Sequence, residues 1–206
     1  MNKEGTLYRG YGLLKWGILI SALHINFDTK IAGFQIIPEF IGLAMVMFAV
    51  RFMNKNGGER YFKKIEKETV YLQILSVVQF VSGLILFYTI NNNSLVTQAL
   101  VIASFLYQVV VFTDILNVTV KLYKDNNDMQ AADKLRKNRI MAIKLSMALA
   151  ILWAASVAPG LRTILGYAVS TLSLLFKLWL SMLIDNVLRK ELSFKSEVNK
   201  DNLGNS

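Results

Sequence analysis

The chain has 206 residues, of which 54% are hydrophobic and 18% charged, with a formal net charge of +9 at pH 7 and no cysteine. The charged share lies well below the ~25% of an ordinary soluble domain. The missing cysteines exclude disulfides, thiolate nucleophiles and Cys-ligated zinc or iron–sulfur centres. Length alone would suggest one or two soluble domains, but the apolar residues gather into long blocks divided by basic connections. A soluble helical domain would instead thread polar residues through every helix to make a wet face.

Six apolar blocks follow in chain order: Tyr11–Phe27, Ala32–Met53, Glu68–Ile90, Leu95–Val120, Ile140–Ala158 and Leu161–Leu188. Each is near the ~20 residues that cross a hydrocarbon core as a helix. In lipid, backbone amides have no water to bond, so each block must coil. The expected fold is an all-α integral membrane protein: six transmembrane helices arranged as three αα-hairpins over residues 1–192, followed by a disordered polar tail at 193–206. Lys3 and Arg9 precede the first block as in a signal peptide. Lys15 interrupts it, however, and Ser21-Ala22-Leu23-His24 is a poor cleavage site, so the first helix is expected to remain uncleaved. Two starts are open for the second helix. One is Ala32. The other is near Pro38, which suits a first helical turn and would leave 31–37 as a loop or interfacial segment.

The connections alternate. Phe27–Ile31, Asn91–Ser94 and Pro159-Gly160 are short, whereas Asn54–Lys67 and Lys121–Arg139 are longer and basic. Eighteen lysines and arginines fall at the N-terminus, after the second, fourth and sixth blocks, and only Lys30 and Arg162 fall on the other side. The positive-inside rule then places both termini and both long connections in the cytoplasm. The expected location is a plasma membrane, with the bilayer as main partner and anionic headgroups against the basic loops. Nucleic acid is not expected, because the basic residues flank apolar blocks.

Polar residues inside such blocks are costly and face inward. In the sixth block, Gly166, Ser170, Ser173, Lys177, Ser181 and Asp185 recur at three- or four-residue spacing and share one stripe. In the fourth, Asp114 and Asn117 lie one turn apart, with Ser104, Tyr107 and Gln108 farther along. In the third, Gln73, Ser76, Gln79 and Gly83 repeat the spacing. Lys177, Asp114, Asn117, Ser173, Ser181, Gln79 and Gln108 are therefore the candidate ligand or cavity residues. Asp114 is the favoured ion-pair partner of Lys177, and Lys144 is an alternative partner for Asp114. The same stripes also fit packing seams, where small residues let helices approach and hydroxyls bond across. A second polar cluster, His24, Asp28, Lys30 and Glu39, marks the outer end of the first hairpin, with His24 and Glu39 at similar depth. A His–carboxylate pair can relay protons. One His with two acids is thin for a metal, so no metal or cofactor is expected.

The stretch His24-Ile-Asn-Phe…Ile36-Ile37-Pro38-Glu39-Phe40-Ile41-Gly42 resembles a pattern in uncharacterised small polytopic membrane proteins of low-GC Gram-positive bacteria. In those, Asp-Ile-Asn-Ile-like and Leu-Pro-Asp-Phe-Ile-Gly segments occur, and His24 and Glu39 stand here at acidic positions. The likeness covers about a fifth of the chain. It implies a bacterial plasma membrane and no particular activity.

No nucleophilic triad, phosphate loop or metalloprotease motif is present, so an enzyme is the least favoured class. Two readings of function remain. In one, a polar intramembrane cavity binds or moves a small solute. In the other, the chain is a non-catalytic membrane partner, an assembly, immunity or regulatory subunit, whose polar seams meet another protein.

Overall fold

The computed structural model describes residues 3–22, 26–27, 34–35, 39–55, 59–88, 95–155, 165 and 168–187. Among these are six helices: α1 (Lys3–Ala22), α2 (Glu39–Met53), α3 (Glu59–Tyr88), α4 (Leu95–Asp125), α5 (Met129–Ala155) and α6 (Ala168–Val187). The fold is all-helical but for one two-residue ladder, β1 (Asn26–Phe27) antiparallel to β2 (Phe34–Gln35), which pairs Asn26 with Gln35 and Phe27 with Phe34. Stretches of α4 (Ala99–Asp125), α5 and α6 are long and apolar enough to cross a membrane.

Helix limits differ from the apolar blocks in a consistent direction. α1 begins at Lys3 rather than Tyr11, α3 at Glu59 rather than Glu68, and α5 at Met129 rather than Ile140. Lys and Glu are good helix formers, so a helix does not stop where hydrocarbon would. At ~1.5 Å per residue, α3, α4 and α5 run about 40–46 Å, more than the ~30 Å of a bilayer core. α2 takes the later of its two open starts, at Glu39, and the segment before it contributes β2 rather than helix.

The Lys121–Arg139 connection is therefore not a loop but a tight helical hairpin. Asn127 takes a left-handed φ of 60°, a conformation asparagine tolerates better than most residues. Its amide donates to the Lys124 carbonyl at 3.0 Å, and the Asp128 amide donates to the Tyr123 carbonyl at 2.9 Å. These are the two bonds of a Schellman ending. Asp128 then caps α5, its Oδ1 accepting from the Ala131 amide at 2.9 Å. Asn127→Gly is expected to keep full stability and Asn127→Val to lose about 1 kcal/mol or more. Asp128→Ala is expected to lose about 1 kcal/mol. Denaturation of the purified chain in detergent checks all three.

The core is a bundle in which each of α1 to α4 packs on its successor, and α6 closes against α1. Glycines let α1 and α2 touch. A Cβ on Gly42 would sit 2.3 Å from the Ser21 amide nitrogen and 2.6 Å from the Gly17 carbonyl oxygen. Tyr11, Leu14 and Ile18 on α1 are fully or almost fully buried. Thr119 of α4 donates its hydroxyl proton to the Ile115 carbonyl at 2.9 Å. Tyr11 must then be the donor in the 2.7 Å bond joining its hydroxyl to Thr119 Oγ1.

Large apolar side chains stand on the outside while polar ones are buried. Phe48, Tyr71, Ile74, Met147, Ile151, Leu175 and Met182 are each more than half exposed, while Ser21, Thr69, Ser76, Ser104, Gln108 and Ser146 are buried. Exposed apolar side chains of this size and number suit lipid better than water.

At the end holding Met53, Glu59, Asp125 and Met129, the charged overhangs pair with one another. Lys64 donates to Asp114 at 2.7 Å and approaches Glu68 at 3.1 Å. The hydrogen bond to Asp114, then that to Glu68, holds the Lys64 ammonium well above its ordinary pKa. Tyr61 donates to Asp125, and Arg51 lies 3.6 Å from Glu66.

Candidate functional site

The expected Asp114–Lys177 contact does not form. Asp114 is held by Lys64 of α3, and Lys144 is exposed on the flank of α5. Lys177 pairs instead with Glu39, the first residue of α2. The reason is directional. A helical side chain leans toward the N-terminus of its own helix, and the N-terminus of α6 lies at the end of the bundle where α2 starts. The Lys177 stem therefore runs away from Asp114. Asn117 also leaves the site: its Oδ1 accepts from Arg139 Nη1 at 2.5 Å, tying α4 to α5.

What forms is a buried polar centre joining four helices. Lys177 is 2% exposed and Glu39 8%. The Lys177 ammonium donates to Glu39 Oε1 and, at 3.2 Å, to the Ser21 carbonyl near the end of α1. That carbonyl lies in the last turn of α1, where helix carbonyls take donors from outside the helix. Gln108 of α4 donates its Nε2 to the same Glu39 oxygen at 3.0 Å. α1, α2, α4 and α6 thus meet at a charge pair that is neutral as a whole, and its carboxylate sits at a helix N-terminus, where the backbone dipole favours a negative group. An ion pair away from water holds only when hydrogen bonds satisfy its remaining valences. Gln108 and Ser21 supply them.

The C-terminal part of the α6 stripe faces α1. Ser181 donates to the Lys15 carbonyl at 3.4 Å. Asp185 accepts from Lys15 Nζ at 2.7 Å. Ser173 is buried one turn from Lys177, whereas Ser170 is exposed. Below Lys177, then, the stripe is a seam holding α6 to α1.

On the other side of the centre lie unpartnered polar atoms. The Tyr61–Asp125 and Lys64–Asp114 contacts set α3 and α4 antiparallel, and that register carries Gln73 near the level of Gln108 and Ser76 near Ser104. Phe40, beside Glu39, meets Phe80, beside Gln79, at a ring separation of 5.2 Å. Ser76 satisfies itself on the Gln73 carbonyl at 2.8 Å. The side-chain oxygens Gln73 Oε1, Gln79 Oε1, Ser104 Oγ and Gln108 Oε1 are buried with no hydrogen-bond partner among the described residues. For Gln108 the amide orientation is fixed, because Glu39 can only accept, so the free Gln108 atom is a true acceptor.

Residue by residue, the sequence-derived candidates divide. Lys177, Glu39 and Gln108 come together, with Gln79 and Ser173 within a turn or so of them. Ser181 serves the α1 seam, and Asp114 and Asn117 belong to the charged end. His24 lies outside the described residues. Ser21 and Lys15 are not among the sequence-derived site candidates. Ser21 acts through its carbonyl, which no side-chain pattern reveals, whereas Lys15 was visible as a lone charge in an apolar block, seven residues after a tyrosine-rich start. Among protein families, curated proteins and solved structures, nothing matches this chain.

Proposed function

We propose that this chain is a six-span plasma-membrane protein, both termini cytoplasmic, that binds or moves a small polar solute through the centre of its bundle. One observation carries the reading: the buried oxygens Gln73 Oε1, Gln79 Oε1, Ser104 Oγ and Gln108 Oε1 on α3 and α4 have no hydrogen-bond partner among the described residues, and Gln108 itself touches the closed and neutral Lys177–Glu39 pair. Leaving a buried acceptor unmade costs about 1–3 kcal/mol each, more than a helical seam would keep four times over, unless water or a ligand completes them. Because Glu39 already neutralises Lys177, an anion has no free charge to bind. The free atoms are mainly acceptors, so the solute they suit is one bearing N–H or O–H donors.

A density map of the purified protein tests this. Non-protein density is expected between Gln108 and Ser104, and Ser104→Ala should weaken it while the protein stays monodisperse. A dry, closed seam, with Ser104→Ala neutral or stabilising by up to about 1 kcal/mol, would favour the reading in which these residues only hold helices together.

A further inference from the structure

Where the end of α4, the first turns of α5 and the end of α6 meet, they border an open cavity of about 280 Å³. This is just under the ~300–1,000 Å³ of pockets for drug-sized molecules, and it has two kinds of wall. Tyr123, Leu135, Leu183 and Val187 form a buried apolar floor. Lys134, Asn138 and Asn186 stand on the rim.

Its level in the bundle is readable from the helices themselves. On α5, apart from Met129 at its first position, the exposed large apolar side chains begin at Ile140, two residues beyond Asn138. On α6 the exposed Met182 is followed one turn later by Asp185 and Asn186. The cavity therefore straddles the edge of the apolar belt, where lipid phosphates lie. Of the nearby acids, Asp128 caps α5, Asp125 accepts from Tyr61 and Asp185 holds Lys15, while Asp133, exposed beside Lys134 on α5, does not line the cavity. Lys134 has no ion-pair partner among the described residues, and Arg136 and Lys137 add exposed positive charge on the next turn of α5.

A cation and two amides above an apolar floor, at this depth, match a phosphate with the first methylenes beneath it. We propose that the cavity is a specific site for one anionic phospholipid. The phosphate accepts from Lys134 and from the Asn138 and Asn186 amides, and the upper acyl chain lies along Leu183 and Val187 toward Met182. No free carboxylate lines the rim, so a quaternary ammonium headgroup gains nothing there. The proposal rests on the lipid-embedded bundle and is independent of the solute reading, since none of its residues touches the Lys177 centre.

The test is native mass spectrometry of the full chain in detergent, offered equal amounts of phosphatidylglycerol and phosphatidylcholine. Phosphatidylglycerol is expected to be retained about fivefold over phosphatidylcholine, roughly the factor one interfacial lysine supplies. Lys134→Glu should bring the two to parity. Lys137→Glu, with the same change of charge outside the cavity, should leave the preference intact. Equal retention by the unaltered protein, or equal loss in both variants, would overturn the site. Displacement of the lipid by excess inorganic phosphate would identify a free-anion site and overturn the lipid assignment.

Discussion

Replacing Lys177 by methionine is expected to destabilise the protein by about 3–5 kcal/mol, because it leaves the Glu39 carboxylate in a buried site without its counter-ion. Glu39→Gln should cost a similar amount by stranding the ammonium against the Ser21 carbonyl. The double variant, with both charges gone, should recover most of either loss. The coupling energy should exceed the ~0.5–3 kcal/mol usual for residues in contact, because each single variant leaves a buried charge without its counter-ion. Denaturation in detergent, together with the monodisperse fraction on gel filtration, reads all three. Simple additivity would mean that Lys177 reaches the interface rather than Glu39, and the polar centre would have no basis.

Gly42→Ala is the second variant with a large expected effect. The added methyl would meet backbone atoms of α1, at 2.3 Å from Ser21 N and 2.6 Å from Gly17 O. Backbone cannot rotate away, so the helices must separate, at a cost at or above the ~1–3 kcal/mol usual for overpacking. Separation would also pull Ser21 and Glu39 apart, so the loss should be larger than steric crowding alone gives. Gly12 is the internal control. Nothing lies within 4 Å of a Cβ there, and Gly12→Ala should stabilise the helix by up to about 1 kcal/mol. Thermal unfolding of the two variants side by side separates a close-approach glycine from a merely helical one.

Much of the fold could be read from residue order, because hydrophobic blocks and charge clusters report the solvent on each side. Helix limits could not, since Glu59 to Lys67 and Met129 to Arg139 are polar yet helical. A hydropathy pattern sees where lipid ends, whereas a helix ends where its caps are, as at Asn127 and Asp128. The residues of the polar centre were mostly visible: Lys177 and Gln108 as costly groups within apolar blocks, and Glu39 as part of a separate outer cluster. Their joining was not visible, because depth was counted from residue number alone. The N-terminal lean of a lysine on a descending helix would have pointed Lys177 toward Glu39 and away from Asp114. The unpartnered oxygens of α3 and α4 depend on rotamers and neighbours, and no spacing rule anticipates them.

The lipid-facing belt and the common side of the charged ends support everything else, and the absence of native cysteine makes them directly measurable by single-cysteine labelling in sealed, oriented membrane vesicles. A membrane-impermeant maleimide is predicted to label Lys63→Cys and Lys137→Cys from the same, cytoplasmic face, and to leave Met147→Cys, Ile151→Cys and Met182→Cys unlabelled until detergent is added. Labelling of the two lysine positions from opposite faces, or ready aqueous labelling at Ile151, would contradict the account.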